Sequence, residues 1–434
     1  MDKSGYRTIP QALNEYITFL VQALPIRSVP TFIELLIGAM LTQAGFVTQA
    51  WLAVDMHRHW TSYYKWLQKG RWSWIALGRQ MVRMILTFFP QSTLFFVIDD
   101  TLIFRASKKA PGSRFHHQHG SKANRPAFVR GQCWVSLAAV VSNGLNTAAI
   151  PILARLMRSE GNSSKLKAAK TLIRTVSSLL KLQKVCFLLD SWYMRKTLLS
   201  YITARGFNLI GQVRIDTALY DIPCQTGKRG RPRKYGEKYT AERIGQLPET
   251  RTRMFLYGKK QWVRYRSNLV LARFLKGLKV KVVWLRFEKE DGTLTKIRLI
   301  LATDLALSAS DIIAAYAKRW WIEPMFAQVK NHWGWKDAWQ QTRQVLHRWL
   351  QILSIGYALP QLLALKECLD VQKLAGLAPW RVKQPITAGR VRLGLQMILG
   401  HVRIRHWWNP KSRKFEPPDM AKSPPQTDYG GKTA

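Results

Sequence analysis

The chain has 434 residues and carries 68 Lys+Arg against 25 Asp+Glu, a formal net charge of +43. Because 47% of it is hydrophobic, the basic residues lie in segments able to fold, which excludes a low-complexity basic tail and points to a polyanionic partner, nucleic acid above all. The length supports a large core divided into two or three domains. The cysteines Cys133, Cys186, Cys224 and Cys368 are far apart and form no Cys-x-x-Cys pair, which argues against a disulfide framework or a zinc knuckle and fits a reducing cytosol.

The N-terminus lacks a charged region followed by an apolar run, so no signal peptide is expected. Residues 1–90 read as helical, with apolar residues at helical spacing through 16–24, 32–41 and 74–89. The most apolar stretch, 32–54, is broken by Glu34, Thr42, Gln43 and Gln49, and reads as buried helices, not a membrane span. A small-residue turn at Ala44 and Gly45 leaves two readings open, a DNA-reading helix-turn-helix or a packing turn. Between 58 and 74, bases and aromatics interleave (Arg58, His59, Trp60, Tyr63, Tyr64, Lys65, Trp66, Arg71, Trp72, Trp74), as at a DNA contact or a core edge.

Strand patterns begin near residue 92. STLFFVIDD is an apolar run ending in Asp99 and Asp100. FVRGQCWVSLAAVV and LNTAAIPIL follow, joined by the hairpin signal Ser142, Asn143, Gly144. A helix over 165–182, the run KVCFLLD ending at Asp190, a helix over 194–205 and FNLIGQV complete an α/β pattern with a mixed sheet. FHHQHG (His116, His117, His119) has no further ligand at zinc spacing, so a metal role is set aside.

Residues 214–302 hold 22 Lys+Arg and 8 Asp+Glu, and alternate as strands in QWVRYR, VKVVWLRFEKE and DGTLTKIRLILAT. Within them GKRGRPRKYG (227–236) is similar to an AT-hook core, in which an extended Arg-Gly-Arg-Pro-Arg segment enters a narrow A·T-rich minor groove. Arg229, Arg231, Arg233 and Lys234 are its DNA-binding candidates, against the alternative of a solvated loop. Farther on, Tyr316, Arg319, Glu323 and Lys330 fall at offsets of 3, 7 and 14 from the Tyr. On one helix these map to about 300°, 340° and 320°, a single stripe. Pro324 is expected to kink that helix or start a new segment. The terminal GGKT lacks the upstream Gly and the following helix of a phosphate loop.

The acids suggest one site. Carboxylates at the ends of adjacent strands, with a further Glu beside cations, suit hard divalent ions that activate one oxygen and stabilise another at phosphorus. No histidine base and no covalent nucleophile is required.

The order of a strand-end Asp, a second strand-end Asp, and Tyr-x2-Arg-x3-Glu-x6-Lys resembles the DDE transposases of bacterial insertion sequences. The similarity is to the branch marked by a Tyr-Arg-Glu-Lys signature, spelled here Tyr316, Arg319, Glu323, Lys330 in the context Trp320, Ile322, Phe326. It covers roughly residues 90–365. The first acid stands in IDDT, favouring Asp99 with Thr101 two residues on; Asp100 is the alternative. The second, Asp190, stands in LLDSWY.

The resemblance implies an RNase H-like mixed-sheet core interrupted by a β-rich insertion, with an α-helical N-terminal domain. The expected segments are a helical DNA-binding domain over 1–90 and the first part of the core over 91–213. The basic insertion then spans 214–302, the second part of the core with Glu323 303–365, a helical region 366–408 and a disordered tail 409–434. Asp99, Asp190 and Glu323 are expected to be catalytic and to hold two Mg²⁺, with Mn²⁺ able to substitute. Tyr316, Arg319 and Lys330 would contact phosphates, and Trp262 and Trp284 could stack on a flipped base or pack in the core. The implied activity is cut-and-paste transposition: nicking by water, attack of the freed 3′-hydroxyl, excision through hairpin ends and joining to target DNA. Its partners are double-stranded DNA, as terminal inverted repeats and target, and a second copy of the chain on DNA. The expected location is the bacterial cytoplasm at the nucleoid, with no membrane contact. A catalytically silent DNA-binding descendant and a structure-specific nuclease are the alternatives.

Overall fold

In a computed structural model of the protein, residues 8–117, 126–144, 146–157, 162–224, 233–366, 368–377 and 384–418 are described. The helical spacing near the start becomes α1 (Gln11–Val21), α2 (Val29–Leu41), α3 (Val47–Ala53), α4 (Trp60–Lys69) and α5 (Trp74–Phe88). In α1 the buried Leu13, Tyr16, Ile17 and Leu20 recur at offsets of 3, 4 and 7, the stripe that drives an amphipathic helix onto a core.

The strand patterns become β1 (Leu94–Phe104), β2 (Ser113–His117), β3 (Phe128–Asn143) and β4 (Asn146–Leu156). Then come α6 (Asn162–Ser177), β5 (Val185–Leu189), α7 (Lys196–Thr203), β6 (Asn208–Val213) and β7 (Leu219–Tyr220). The basic segment gives α8 (Ala241–Gln246), β8 (Thr250–Leu256), β9 (Lys259–Ala272), β10 (Leu278–Glu288) and β11 (Arg298–Ala302). The chain ends in α9 (Ala309–Ala317), α10 (Ile322–Asn331), α11 (Arg343–Lys366), α12 (Leu369–Gly376), α13 (Ala388–Leu399), β12 (Trp408–Asn409) and β13 (Lys414–Phe415).

Two compact units result, Met1–Met84 with Gln328–Ala434, and Ile85–Ala327. The linear division expected from sequence differs, because residues 1–84 are not a separate domain. In the first unit α11 is buried over nearly its whole length, and α2 and α13 supply the apolar partners that such a helix needs. Among the described residues no single helix is long and apolar enough to cross a membrane.

Of the two readings of the turn at Ala44 and Gly45, the packing turn is the one realised. Gly45 and Gly334 meet backbone to backbone, with no room for a Cβ on either, and Gly334 has a φ of 71°. Trp349 Nε1 donates to the Gly45 carbonyl at 2.7 Å. The interleaved segment 58–74 is likewise partly core. Tyr63 and Trp72 are buried, and Trp66 stacks on Trp72 at 4.6 Å. Arg348 donates to the carbonyls of Leu67, Gly70 and Trp72, each at 2.7 Å, while Trp60 remains exposed.

The expected disorder of 409–434 fails over its first residues. β12 and β13 pair, Phe415 is buried against Trp407, and its amide donates to Thr18 Oγ1 at 3.0 Å. Prolines here flank aromatic anchors, which a composition argument does not separate. Residues 419–434 lie outside the described residues.

In the second unit the described strands form one sheet in the order β2-β3-β1-β5-β6-β11-β10-β9-β7, with β4 added on β3 and β8 on β9. β1, β5 and β6 are mutually parallel, and β3 and β4 are antiparallel additions through the expected hairpin at Gly144. β11 pairs antiparallel with β6, so the strands of the basic segment extend the same sheet.

Candidate active site

β1 and β5 set the position of the acids; the expected strand end holds for Asp190, directly after β5, but not for Asp99, because β1 runs on to Phe104 against β3. The parallel register of β1 and β5 ends at Ile98 opposite Leu189, so the next residues are Asp99 and Asp190. Side chains alternate across a strand, so Asp99 and Asp100 point to opposite faces of the sheet. The hydrogen bonds follow that division. Asp99 Oδ2 receives Arg319 Nη1 at 3.2 Å, and its Oδ1 receives the Asp100 amide at 2.8 Å. Asp100 instead accepts from Lys165 Nζ at 2.7 Å, Tyr193 Oη at 2.9 Å and Cys133 Sγ at 3.4 Å.

The expected single stripe is divided. α9 stops at Ala317, Lys318–Trp321 form a 3₁₀ turn, and α10 begins at Ile322. Tyr316, Arg319 and Glu323 therefore sit on three successive segments. Pro324 lies in the first turn of α10, where its missing amide has no helical partner to lose. Arg319 still reaches both sides, donating through Nη2 to Glu323 Oε1 at 2.9 Å while Nη1 holds Asp99. One planar guanidinium thus spans an acid of β1 and the helical acid. Lys330 lies seven residues beyond Glu323 on α10, and burial lowers its pKa.

Burial is the main reason that the Asp99 carboxyl is pushed up to about 7. Asp190 and Asp100 add repulsion, and Arg319 works against it. Asp190 is also raised, first by burial, although the Tyr193 amide donates to its Oδ1 at 2.9 Å. The Tyr316 hydroxyl is pushed up to about 12 by burial, with Arg319 opposing. Two desolvated carboxylates in register, beside a cation held between two acids, form a site that favours bound positive charge. That donor chemistry fits hard divalent ions. Among the described residues, no three His, Cys, Asp or Glu side chains gather closely enough to hold an ion as they stand.

The unusual direction of the Asp99 shift has a consequence for stability. The unfolded chain protonates this carboxyl near the ordinary aspartate value of 3.8, and the folded chain near 7. Between those values the folded state binds more protons, so stability falls as pH rises through the window. Asp99→Asn should therefore stabilise the metal-free protein, with a gain that grows from about pH 4 to about pH 7. Thermal melts across that range test this, and a pH-independent difference contradicts it.

A family model described as DDE superfamily endonuclease matches residues 32–269. The chain belongs to this superfamily. No curated protein matches the chain. Membership makes this endonuclease a DNA-acting, metal-dependent enzyme. The matched region contains Asp99 and Asp190 and ends before Glu323.

The remaining candidates of the endonuclease divide between exposed and buried. Trp284 is 3% exposed and tilts against Tyr239 at 5.7 Å, so it is a core residue and not a stacking platform. The period of the strand gave its face but not that Tyr239 covers it. Trp262 is 36% exposed, with the Arg251 guanidinium 3.9 Å over its ring. Arg251 and Arg264 both bind Glu288, which holds this Arg-Trp stack on the outer strands. Arg233 and Lys234 are exposed, whereas Arg229 and Arg231 lie outside the described residues, as does His119.

Sequence reasoning missed Tyr257 and the Asp100 cluster. Tyr257 (φ 55°) and Gly258 (φ 81°) form the tight turn between β8 and β9. The turn brings Tyr257 near Arg298, Arg319 and Glu323, whose charges act on its hydroxyl. A Tyr-Gly pair between two alternating runs was the available signal. Asp100 anchors Tyr193, whose amide in turn orients Asp190. Asp100→Ala should slow cleavage by about 10- to 100-fold if Asp190, which it orients through Tyr193, holds a metal ion. Asp99→Ala should remove cleavage entirely. Equal rates for the two variants would refute this division of labour.

Proposed function

We propose that the chain is a DNA transposase that cleaves the ends of a mobile element and joins them to target DNA. The observation that carries the reading is Arg319, held between Asp99 and Glu323, with Asp190 beside Asp99 in register. In this reading Asp99, Asp190 and Glu323 hold two Mg²⁺, which Mn²⁺ can replace. When bound, such ions supply Lewis acidity to the phosphodiester and to the attacking oxygen.

The strand order β4-β3-β1-β5-β6, with its antiparallel and parallel pairs, supports an RNase H-like core. The separation of 133 positions between Asp190 and Glu323, with β7 to β11 in the interval, supports an insertion within it. Asp99 and Asp190 are the fixed pair, Asp99 inside β1 and Asp190 directly after the adjacent β5. Glu323 is the adaptable member, with 53% of its side chain exposed. Arg319 releases both acids when a DNA phosphate competes for its guanidinium, and then grips that phosphate. Tyr316, buried beside Arg319, keeps the guanidinium aimed. Lys330 belongs to the reading through the sequence signature, as a phosphate contact on the strand that is not the nucleophile. Hairpin ends, a dimer on DNA and a bacterial nucleoid setting follow from the same resemblance.

Incubation of the protein with its own element-end DNA and Mg²⁺, resolved on a denaturing gel beside Glu323→Ala, tests the proposal. Nicks and joined products in the wild-type lane alone support transposition. Nicks without joined products indicate a nuclease, and tight binding without cleavage in Mg²⁺ or Mn²⁺ indicates a silent DNA-binding protein.

A further inference from the structure

The first unit contains a cleft that the catalytic reading does not use. It has a volume of about 410 Å³ and is lined by Arg27, Pro30, His57, Arg405, His406 and Trp408, among others. Three separate pieces of chain converge there: the turn before α2, the linker between α3 and α4, and the turn before β12.

The convergence is fixed by Glu34, a fully buried carboxylate on α2. Its Oε2 accepts from Tyr63 Oη at 2.9 Å and from Arg405 Nη1 at 2.8 Å, and its Oε1 accepts from the His57 amide at 3.1 Å. Burying a carboxylate is costly unless it is paired and hydrogen-bonded. Glu34 is both, and the effect is to hold Arg405 and His57 at the cleft. It neutralises one guanidinium. Arg27 is exposed, and among the described residues no acid pairs with it, so the cleft keeps net positive charge. The His57 and His406 rings meet edge-on, 6.2 Å between centroids. Trp408 is 8% exposed, and its indole N–H has no partner among the described residues. A buried donor without a partner is costly, and its residue lines this cleft.

We infer that this cleft binds one phosphorylated nucleotide unit. Guanidinium and imidazole N–H groups match phosphate oxygens, and the exposed Ile26 with Pro30 offers an apolar surface to a base. The volume falls in the range of about 300–1,000 Å³ typical of small-molecule sites. The inference rests on the family's DNA substrate only for the source of the nucleotide. That source is either an unstacked nucleotide of a DNA strand or a free mononucleotide.

Titration calorimetry of the full chain with thymidine 5′-monophosphate, thymidine and inorganic phosphate tests it. The monophosphate should bind at least about tenfold more tightly than either part, because both halves of the cleft contribute about 1.4 kcal/mol or more. The double variant Arg27→Ala/His406→Ala, both positions being exposed, should weaken that binding about tenfold or more, while the charge-matched Lys373→Ala leaves it unchanged. Displacement of the monophosphate by a short single-stranded oligonucleotide identifies a DNA strand as the source, and no displacement identifies the free nucleotide. No binding of the monophosphate, phosphate binding as tightly alone, or wild-type affinity in the double variant overturns the inference. Glu323→Ala should bind the monophosphate normally, so failure here is separable from failure of the cleavage reading.

Discussion

Glu323→Ala should abolish DNA cleavage, by about a thousandfold or more, while DNA affinity stays close to wild type. The size of the effect follows from what the side chain is proposed to do. Removal of a single hydrogen-bond donor to a developing charge already costs about a hundred- to thousandfold, and a metal-binding carboxylate carries a full charge. Glu323 has 53% of its side chain exposed and, among the described residues, a single ion pair, to Arg319, so its loss should cost little stability. A cleavage defect can then be separated from misfolding by a thermal melt. Asp99→Ala and Asp190→Ala should share the phenotype. Cleavage at a tenth of the wild-type rate or better in Glu323→Ala would remove this residue from the catalytic set.

Arg319→Ala should lower cleavage by about a hundredfold or more and, unlike Glu323→Ala, should leave divalent-ion binding intact or tighter. Without ligand, the guanidinium is the cation of the site, bound to Asp99 at 3.2 Å and to Glu323 at 2.9 Å. In the proposed reading an incoming ion competes with it, so its removal frees two carboxylates. The same guanidinium is the group available to bind a phosphate, and that contribution is lost. Arg319→Lys should recover only part of the activity, because one ammonium cannot present the planar fork that reaches two carboxylates or two phosphate oxygens. The measurements are single-turnover cleavage rates and the rise in melting temperature with Mn²⁺. An Arg319→Ala protein that loses both cleavage and ion binding would mean that the guanidinium shapes the acids instead of guarding them.

Much of the site could be read before any fold was known. Asp99, Asp190, Arg319 and Glu323 were all candidates from strand ends and a spacing, and the structure brings them together. The choice between Asp99 and Asp100 could not be read from IDDT. It depends on which face of β1 meets Arg319 and which meets Lys165 and Tyr193, residues 220, 65 and 93 positions away from their partners. Tyr257 was missed for a similar reason, since a two-residue turn shows a hairpin but not what its tip approaches. Trp284 and Trp262 had the same strand-like pattern. One became core because Tyr239 covers it, and the other stayed at the surface under Arg251.

By itself, the sequence determined the polyanionic partner, the α/β alternation, the acids that follow the apolar runs and the new helical segment that begins beside Pro324. Each of these is local, set by charge count, by periods of 2 and 3.6 residues, or by a missing amide. Only the tertiary structure decided that residues 1–84 fold with 328–434, that Gly45 and Gly334 close a packing turn, and that Glu34 gathers Arg405 and His57 around a cleft. These depend on partners hundreds of residues apart in several cases, chosen by burial and hydrogen-bond satisfaction, which no local pattern encodes.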